Sequence, residues 1–262
     1  MRLLRQQAYE HIREKIVSGD LLDGSLLSES SLARDIGIGR MPVREALRQL
    51  HAEGLVEQIP RYGTMVRSPD PAEIAELYEV REALESYAAA AAARSISHES
   101  LALMRRFLDA LFAIARRLQR SGRKALDGQE LRRFLRTDMA FHAVLLEAVG
   151  NQRMMKIISE LRVLVKVFAL RRQQHTLPVI SRTCLHHWRI YNAVRHGDSE
   201  GARKWMAHHL GVSKRYIINM IDHSLGDTSR SELDLDALAM ELLGERSGLE
   251  RLSRRPVRKA VA

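Results

Sequence analysis

A single cysteine, Cys184, leaves this 262-residue chain nothing to pair with internally. A disulfide framework is therefore excluded, and a reducing, cytoplasmic setting is expected. Six prolines and fifteen glycines are too few for a collagen-like or low-complexity protein. No run of about 18 consecutive apolar residues occurs, so no membrane-spanning helix is expected. The opening MRLLRQQAYEHIREKIVSG is charged throughout and lacks the apolar centre and cleavage site of a signal peptide. Also missing are an HExxH pair, a nucleophile elbow and a phosphate-binding loop. Aromatics are scarce at 5%, whereas hydrophobic residues as a whole reach 45%. Ala, Leu and Arg dominate, and such side chains lose little rotamer freedom in a helix. A mainly α protein is expected, and its length points to two domains.

The net charge of +10 suggests a nucleic-acid partner, but its distribution does not follow that reading simply. Residues 1–70 balance ten Lys/Arg against ten Asp/Glu; residues 71–223 hold 25 against 15, and residues 224–262 seven against seven. The excess lies mid-chain. A DNA-binding argument must therefore rest on where particular arginines stand.

Apolar periodicity divides the chain into an N-terminal domain over 1–67, a linker over 68–71, a helical domain over 72–223 and a polar, basic tail over 224–262. In the first zone Tyr9, Ile12 and Ile16 recur at helical spacing. Ser28-Glu29-Ser30-Ser31 opens a second helix that stops at Gly37, with Leu32, Ala33 and Ile36 as its apolar face. Pro42 is expected to begin a third, ending at Gly54, with Val43, Ala46, Leu47 and Leu50 inward. Two β-prone runs around Pro60-Arg61-Tyr62-Gly63 predict a hairpin. Prolines 69 and 71 make the linker stiff. Six amphipathic helices are expected near 72–94, 98–121, 129–149, 151–174, 179–196 and 199–222. They would form an all-α antiparallel bundle, with a short helix over 233–243 in the tail.

Two short helices joined by a Gly-containing turn make a helix-turn-helix when the second carries cations outward. Arg40, Arg44 and Arg48 fall at i, i+4 and i+8, opposite Val43, Leu47 and Leu50. Such a stripe fits the major groove, where a guanidinium bonds guanine O6 and N7. Arg40 and Arg44 are placed for bases, Arg48 and Arg34 for phosphates. The ordinary alternative is a solvated arginine face paired with Glu29 and Glu45. The hairpin argues against that alternative: Gly63 at its tip permits close approach to the minor groove, and Arg61 can lie along phosphates.

The stretch from Tyr9 to Val66 resembles the winged helix-turn-helix of the GntR family. The matching residues are Ile16, Gly19, Gly24, Leu27-Ser28-Glu29, Leu32-Ala33, Arg40, Pro42-Val43-Arg44-Glu45-Ala46-Leu47, Gly54-Leu55-Val56 and Gly63. The resemblance implies base reading by Arg40 and Arg44 and a wing tip at Gly63. Two departures, Ser30 where Arg is common and Gly39 where Ser or Thr is common, imply a different operator or lower affinity.

In the second zone Asp138 and His142 share a helix face with Phe134, Leu135, Phe141, Leu145 and Val149. A carboxylate there needs a cation or hydrogen-bond donor. Helical phase then selects one histidine from each of two adjacent pairs. His187 aligns inward with Ile190, Tyr191 and Val194, and His209 with Trp205, Met206, Val212 and Tyr216. His186, with Arg189, and His208, with Lys204 and Arg215, are expected outside. Singly, each inward histidine reads as a satisfied core residue. Together, three imidazoles and one carboxylate suit a divalent transition metal: Zn, Ni, Mn or Fe.

The segments DMAFH, AVGNQRMMKIISEL and HWRIYNAVRHGDSEGARKWMAHHL resemble the FCD ligand-binding domain of the FadR subfamily. The resemblance implies metal ligation by Asp138, His142, His187 and His209, with a small carboxylate metabolite on the metal. Arg81, in a family-like EVREALE stretch, is a candidate carboxylate clamp, or else an ion-pair partner of Glu82 or Glu85. The expected protein is a non-enzymatic, homodimeric transcription regulator. It binds double-stranded operator DNA under control of a small organic acid, with no membrane partner.

Overall fold

The computed structural model describes residues 2–68, 71–165 and 175–222. Twelve elements occur among them. The first six are α1 Arg2–Ser18, β1 Leu26–Leu27, α2 Glu29–Ile36, α3 Arg40–Ala52, β2 Val56–Ile59 and β3 Gly63–Val66. Six helices follow: α4 Pro71–Ser95, α5 His98–Ser121, α6 Gly128–Val149, α7 Gln152–Val165, α8 Leu177–Arg195 and α9 Ser199–Asp222. The expected helix over 233–243, the last part (166–174) of the helix expected over 151–174, the tail from residue 224 and residues 69–70 of the linker lie outside the described residues.

The N-terminal part is a winged helix-turn-helix. Ala8, Ile12 and Ile16 of α1 are fully buried with Val43, Ala46, Leu47 and Leu50 of α3, so one apolar stripe per helix builds this small core. Ser28 caps α2 by accepting a hydrogen bond from Ser31 N, and Gly37 ends it at φ 75°, the left-handed conformation that glycine adopts without a Cβ penalty.

Two expectations change here. The third helix starts at Arg40, with Gly39 as its N-cap, so Pro42 sits inside the first turn. It is tolerated because the first amides of a helix have no intrahelical acceptor to lose. The wing is not a lone hairpin: β1 adds to β3 antiparallel, giving the order β1-β3-β2. A two-residue strand has no periodicity for a sequence to reveal.

In the helical part, α4 packs along α9 and also meets α6, α7 and α8. Ala88, Ala89, Ala90, Ala92 and Ala93 are buried in α4, and their small side chains let neighbouring backbones come close. Helix α8 lies between α5, α9 and α4 and is buried almost all round. Pro178, expected as a breakpoint, stands in the first turn of α8. Between α1 and the end of α3 on one side, and α6 and α7 on the other, lies a cleft of about 860 Å³. Among the described residues no helix is long and apolar enough to cross a membrane.

Candidate functional site

Arg34, Arg40, Arg44 and Arg48 are all exposed, as periodicity requires of a helix whose other face is core. Arg44 does not point freely outward. Its Nε donates to Glu29 Oε1 and its Nη2 to Glu29 Oε2, both at 2.8 Å. This fork, supported by the nearby Arg40 and Arg48, holds the Glu29 carboxyl below its usual range. The partner named in the ordinary reading of the arginine stripe is thus present, alongside an exposed stripe. At the wing, Pro60, Arg61 and Tyr62 link Ile59 to Gly63, which pair across the strands. Arg61 adopts φ 70° and Gly63 φ 102°. Arg61, Tyr62 and Gly63 are exposed, so the wing tip presents a cation, a ring and bare backbone.

The second constellation lies inside the helical part. Asp138 and His142 come from α6, His187 from α8 and His209 from α9. One ligand atom from each lies within 4.8 Å of all the others. His142 Nε2 and His187 Nε2 are 3.0 Å apart, and His187 Nε2 is 3.5 Å from Asp138 Oδ1. Two donors bound to one ion at about 2.1 Å stand about 3 to 4 Å apart, so the donor set fits a small divalent cation. The three histidines are buried, whereas Asp138 keeps 22% of its side chain accessible, facing a small cavity of about 50 Å³. Arg81, Arg162, Tyr78 and His209 share that wall.

Burial sets the protonation of this cluster. It lowers His142 to about 4 and His187 to about 3, and takes His209 well below its ordinary value. The same desolvation raises Asp138. Near neutral pH the imidazoles therefore carry lone pairs, the form that binds metals.

Sequence reasoning considered Glu85 only as a partner for Arg81 and missed Arg162 entirely. Glu85 is 1% exposed and anchors the region. Its Oε1 accepts from Arg81 Nε at 2.8 Å, and its Oε2 accepts from Arg162 Nη2 at 2.6 Å. His142 Nδ1 is 2.7 Å from the same Oε2, at an oblique angle. Burial pushes the Glu85 carboxyl up, but Arg162, Arg81 and His142 together hold it well below the usual range. Arg162 also donates to the Met139 carbonyl at 3.0 Å. The i, i+4 spacing of Arg81 and Glu85 was a visible signal. Arg162 lies 77 residues from Glu85, and nothing local marks that pairing.

His186 departs from its expected outward place. It is 1% exposed because α8 has helices on most sides and offers scarcely any solvent face. His208 is exposed as expected.

A winged helix-turn-helix followed by an all-helical part with a buried polar pocket defines a class of DNA-binding regulators. The comparisons agree. The model of the bacterial regulatory proteins of the gntR family matches residues 4–66, and that of the FCD domain matches residues 76–212. An uncharacterised HTH-type transcriptional regulator in an unstable DNA locus of Streptomyces ambofaciens is 31% identical over 207 residues, covering 79% of this chain and 81% of that one. The gluconate operon transcriptional repressor of Bacillus subtilis (strain 168) is 41% identical over 80 residues, covering 30% of this chain and 32% of its own. Among solved structures, a putative GntR regulator from Rhodococcus sp. RHA1 superposes with a TM-score of 0.66 at 19% identity, covering 82% of this chain and 97% of that one. E. coli McbR/YncC gives 0.64 at 19% identity, covering 80% and 94%. These two establish a shared fold. The chain belongs to the GntR family and is a DNA-binding transcription regulator with an FCD domain.

Proposed function

We propose that this regulator's affinity for its operator is set by a small carboxylate metabolite, bound beside a divalent transition metal in the FCD domain. The convergence of Asp138, His142, His187 and His209 within 4.8 Å carries the reading. A set of three buried imidazoles and one carboxylate suits Zn, Ni, Mn or Fe. When bound, the ion supplies positive charge and open positions for a carboxylate oxygen. The protein supplies the rest. Glu85 faces the far nitrogen of His142 and orients its ring, as carboxylates behind metal-bound histidines do. Arg81 reaches the cavity wall as the clamp for the ligand's free carboxylate oxygen. Its bond to Glu85 leaves its terminal nitrogens for that task.

At the other end, Arg40 and Arg44 read base edges, Arg34, Arg48 and Arg61 hold phosphates, and Gly63 lets the wing approach the minor groove. A homodimer would present two such modules to a pseudo-palindromic site. It works in the cytoplasm, where the DNA is, and relatives named as repressors favour repression. Regulation follows if the ligand binds two conformations unequally.

Purified protein should retain about one metal ion per chain by elemental analysis. His187→Ala combined with His209→Ala should lose it. A full metal complement in that double variant would remove the site. Operator affinity by anisotropy should then shift with small carboxylates in the wild type alone.

A further inference from the structure

The cleft between α1 and the end of α3 on one side, and α6 and α7 on the other, is far larger than the cavity beside Asp138, about 860 Å³ against about 50 Å³. Small-molecule sites usually measure about 300–1,000 Å³, favour domain interfaces, and set a few polar groups in an apolar wall. The cleft has that build. Its apolar wall is Ala143 and Leu146 of α6 with Ile158 and Leu161 of α7. Its polar corner is Tyr9 and Arg13 of α1 with Glu53, the residue after α3. The charges there are unevenly satisfied. Glu53 accepts from Tyr9 Oη at 2.8 Å and from Gln49 Nε2 at 3.1 Å, one bond on each oxygen. Arg162, which also lines the cleft, has its terminal nitrogens on Glu85 and on the Met139 carbonyl. Arg13 differs. Among the described residues nothing pairs with its guanidinium, and its Nε is buried without a hydrogen-bond partner. A buried donor left alone costs free energy until something accepts from it.

We propose that this cleft is a second ligand site, one that takes a small molecule with an apolar body and a single anionic group. The body lies against α6 and α7, and the anionic oxygens accept from Arg13. Charge decides the sign of the head group. A cationic head would meet an uncompensated guanidinium, with Glu53 already engaged by Tyr9 and Gln49. The other acid on the lining, Glu160, is exposed, so water and salt screen it. Ala52, the last residue of the recognition helix, shares the same lining. An occupant therefore touches the DNA-reading unit and the FCD domain together. The site stands apart from the metal reading, because none of Asp138, His142, His187 and His209 lines the cleft.

The test uses chelator-stripped full-length protein and two fluorescent probes, anilinonaphthalene sulfonate and phenylnaphthylamine. They share one ring system and differ by the sulfonate, and the cavity of about 50 Å³ is too small for either. Titration should give about one probe per chain, with the sulfonate bound roughly tenfold tighter than the neutral ring, the worth of one charge-assisted hydrogen bond. Arg13→Gln should erase that preference and leave the neutral probe's affinity unchanged. Ala52→Phe, at an exposed position on the lining, should fill the cleft and abolish binding of both probes, with Tm unchanged. Equal affinity for the two probes in the wild type, a preference that survives Arg13→Gln, or unchanged binding in Ala52→Phe would overturn the site. A cleft closed by a second copy of the chain would overturn it too: no probe would bind, and Ala52→Phe would shift the dimer equilibrium in sedimentation. Metal is absent throughout, so failure of the metal reading would leave each of these results unchanged.

Discussion

His142 Nδ1 stands 2.7 Å from Glu85 Oε2, the oxygen that also accepts from Arg162. One buried carboxylate thus faces a candidate metal ligand and two arginines at once. Removing its charge leaves Arg81 and Arg162 uncompensated in the core and frees the His142 ring to turn. Glu85→Gln should weaken metal affinity by about 10- to 100-fold, the usual effect of losing a carboxylate behind a ligand histidine. Competition with a chromogenic chelator measures it. Wild-type affinity in a folded Glu85→Gln protein would show that Glu85 holds the arginines and nothing more.

The fork between Arg44 and Glu29 gives a second test. To read a guanine edge, Arg44 must exchange carboxylate oxygens for base acceptors. Arg44→Ala should cost about 1–3 kcal/mol of specific binding. Glu29→Gln should act in the other direction on non-specific DNA, because an unpaired arginine gains phosphate contacts and the salt dependence steepens. Anisotropy titrations on operator and scrambled duplexes at several salt concentrations separate the two. Equal loss on both duplexes for Arg44→Ala would make that residue a phosphate contact.

At the wing, Arg61 combines a left-handed backbone with an exposed cation. Arg61→Gly should relieve backbone strain of order 1 kcal/mol or less while reducing the salt slope of DNA binding by about one. Stability and DNA affinity should therefore move oppositely, in thermal melts and in binding isotherms. A variant that melts earlier would show that the side chain supports the turn.

Acid should destabilise the metal-free fold through its histidines. Burial lowers His142 to about 4 and His187 to about 3, whereas an unfolded chain titrates histidine near about 6.5. Below that value the unfolded state takes up protons that the fold refuses. Their contribution is complete above about 6.5 and is lost as pH falls towards about 4. Asp138, raised by burial, opposes this, but as one group against three. Tm should hold steady above pH 7 and fall between 6.5 and 4.5. A flat profile across that window would mean the imidazoles charge freely inside the fold.

The helices and the inward phase of Asp138, His142, His187 and His209 were legible because each shows itself within one element. Leu32, Ala33 and Ile36 set one face, and Asp138 with His142 set another. What escaped was relational. Leu26–Leu27 becomes a strand only because β3 lies alongside. Glu85 and Arg162 pair across 77 residues, and charge pairing leaves no period. The burial of His186 follows from neighbours on several sides of α8, whereas phase reasoning assumes one dry face and one wet one.

Helix α7 carries Arg162 in the wall of the small cavity and, two residues on, Leu164, whose Cδ2 lies 3.7 Å from where a side chain on Gly54 would begin. Gly54 closes the recognition helix. Under the proposed regulation the two binding events then share one rod, and thermodynamic reciprocity applies. Whatever factor the metabolite imposes on the grip for DNA, the duplex must impose on the grip for the metabolite. A cell rich in operator copies would consequently retune its own sensor, with no change in the protein.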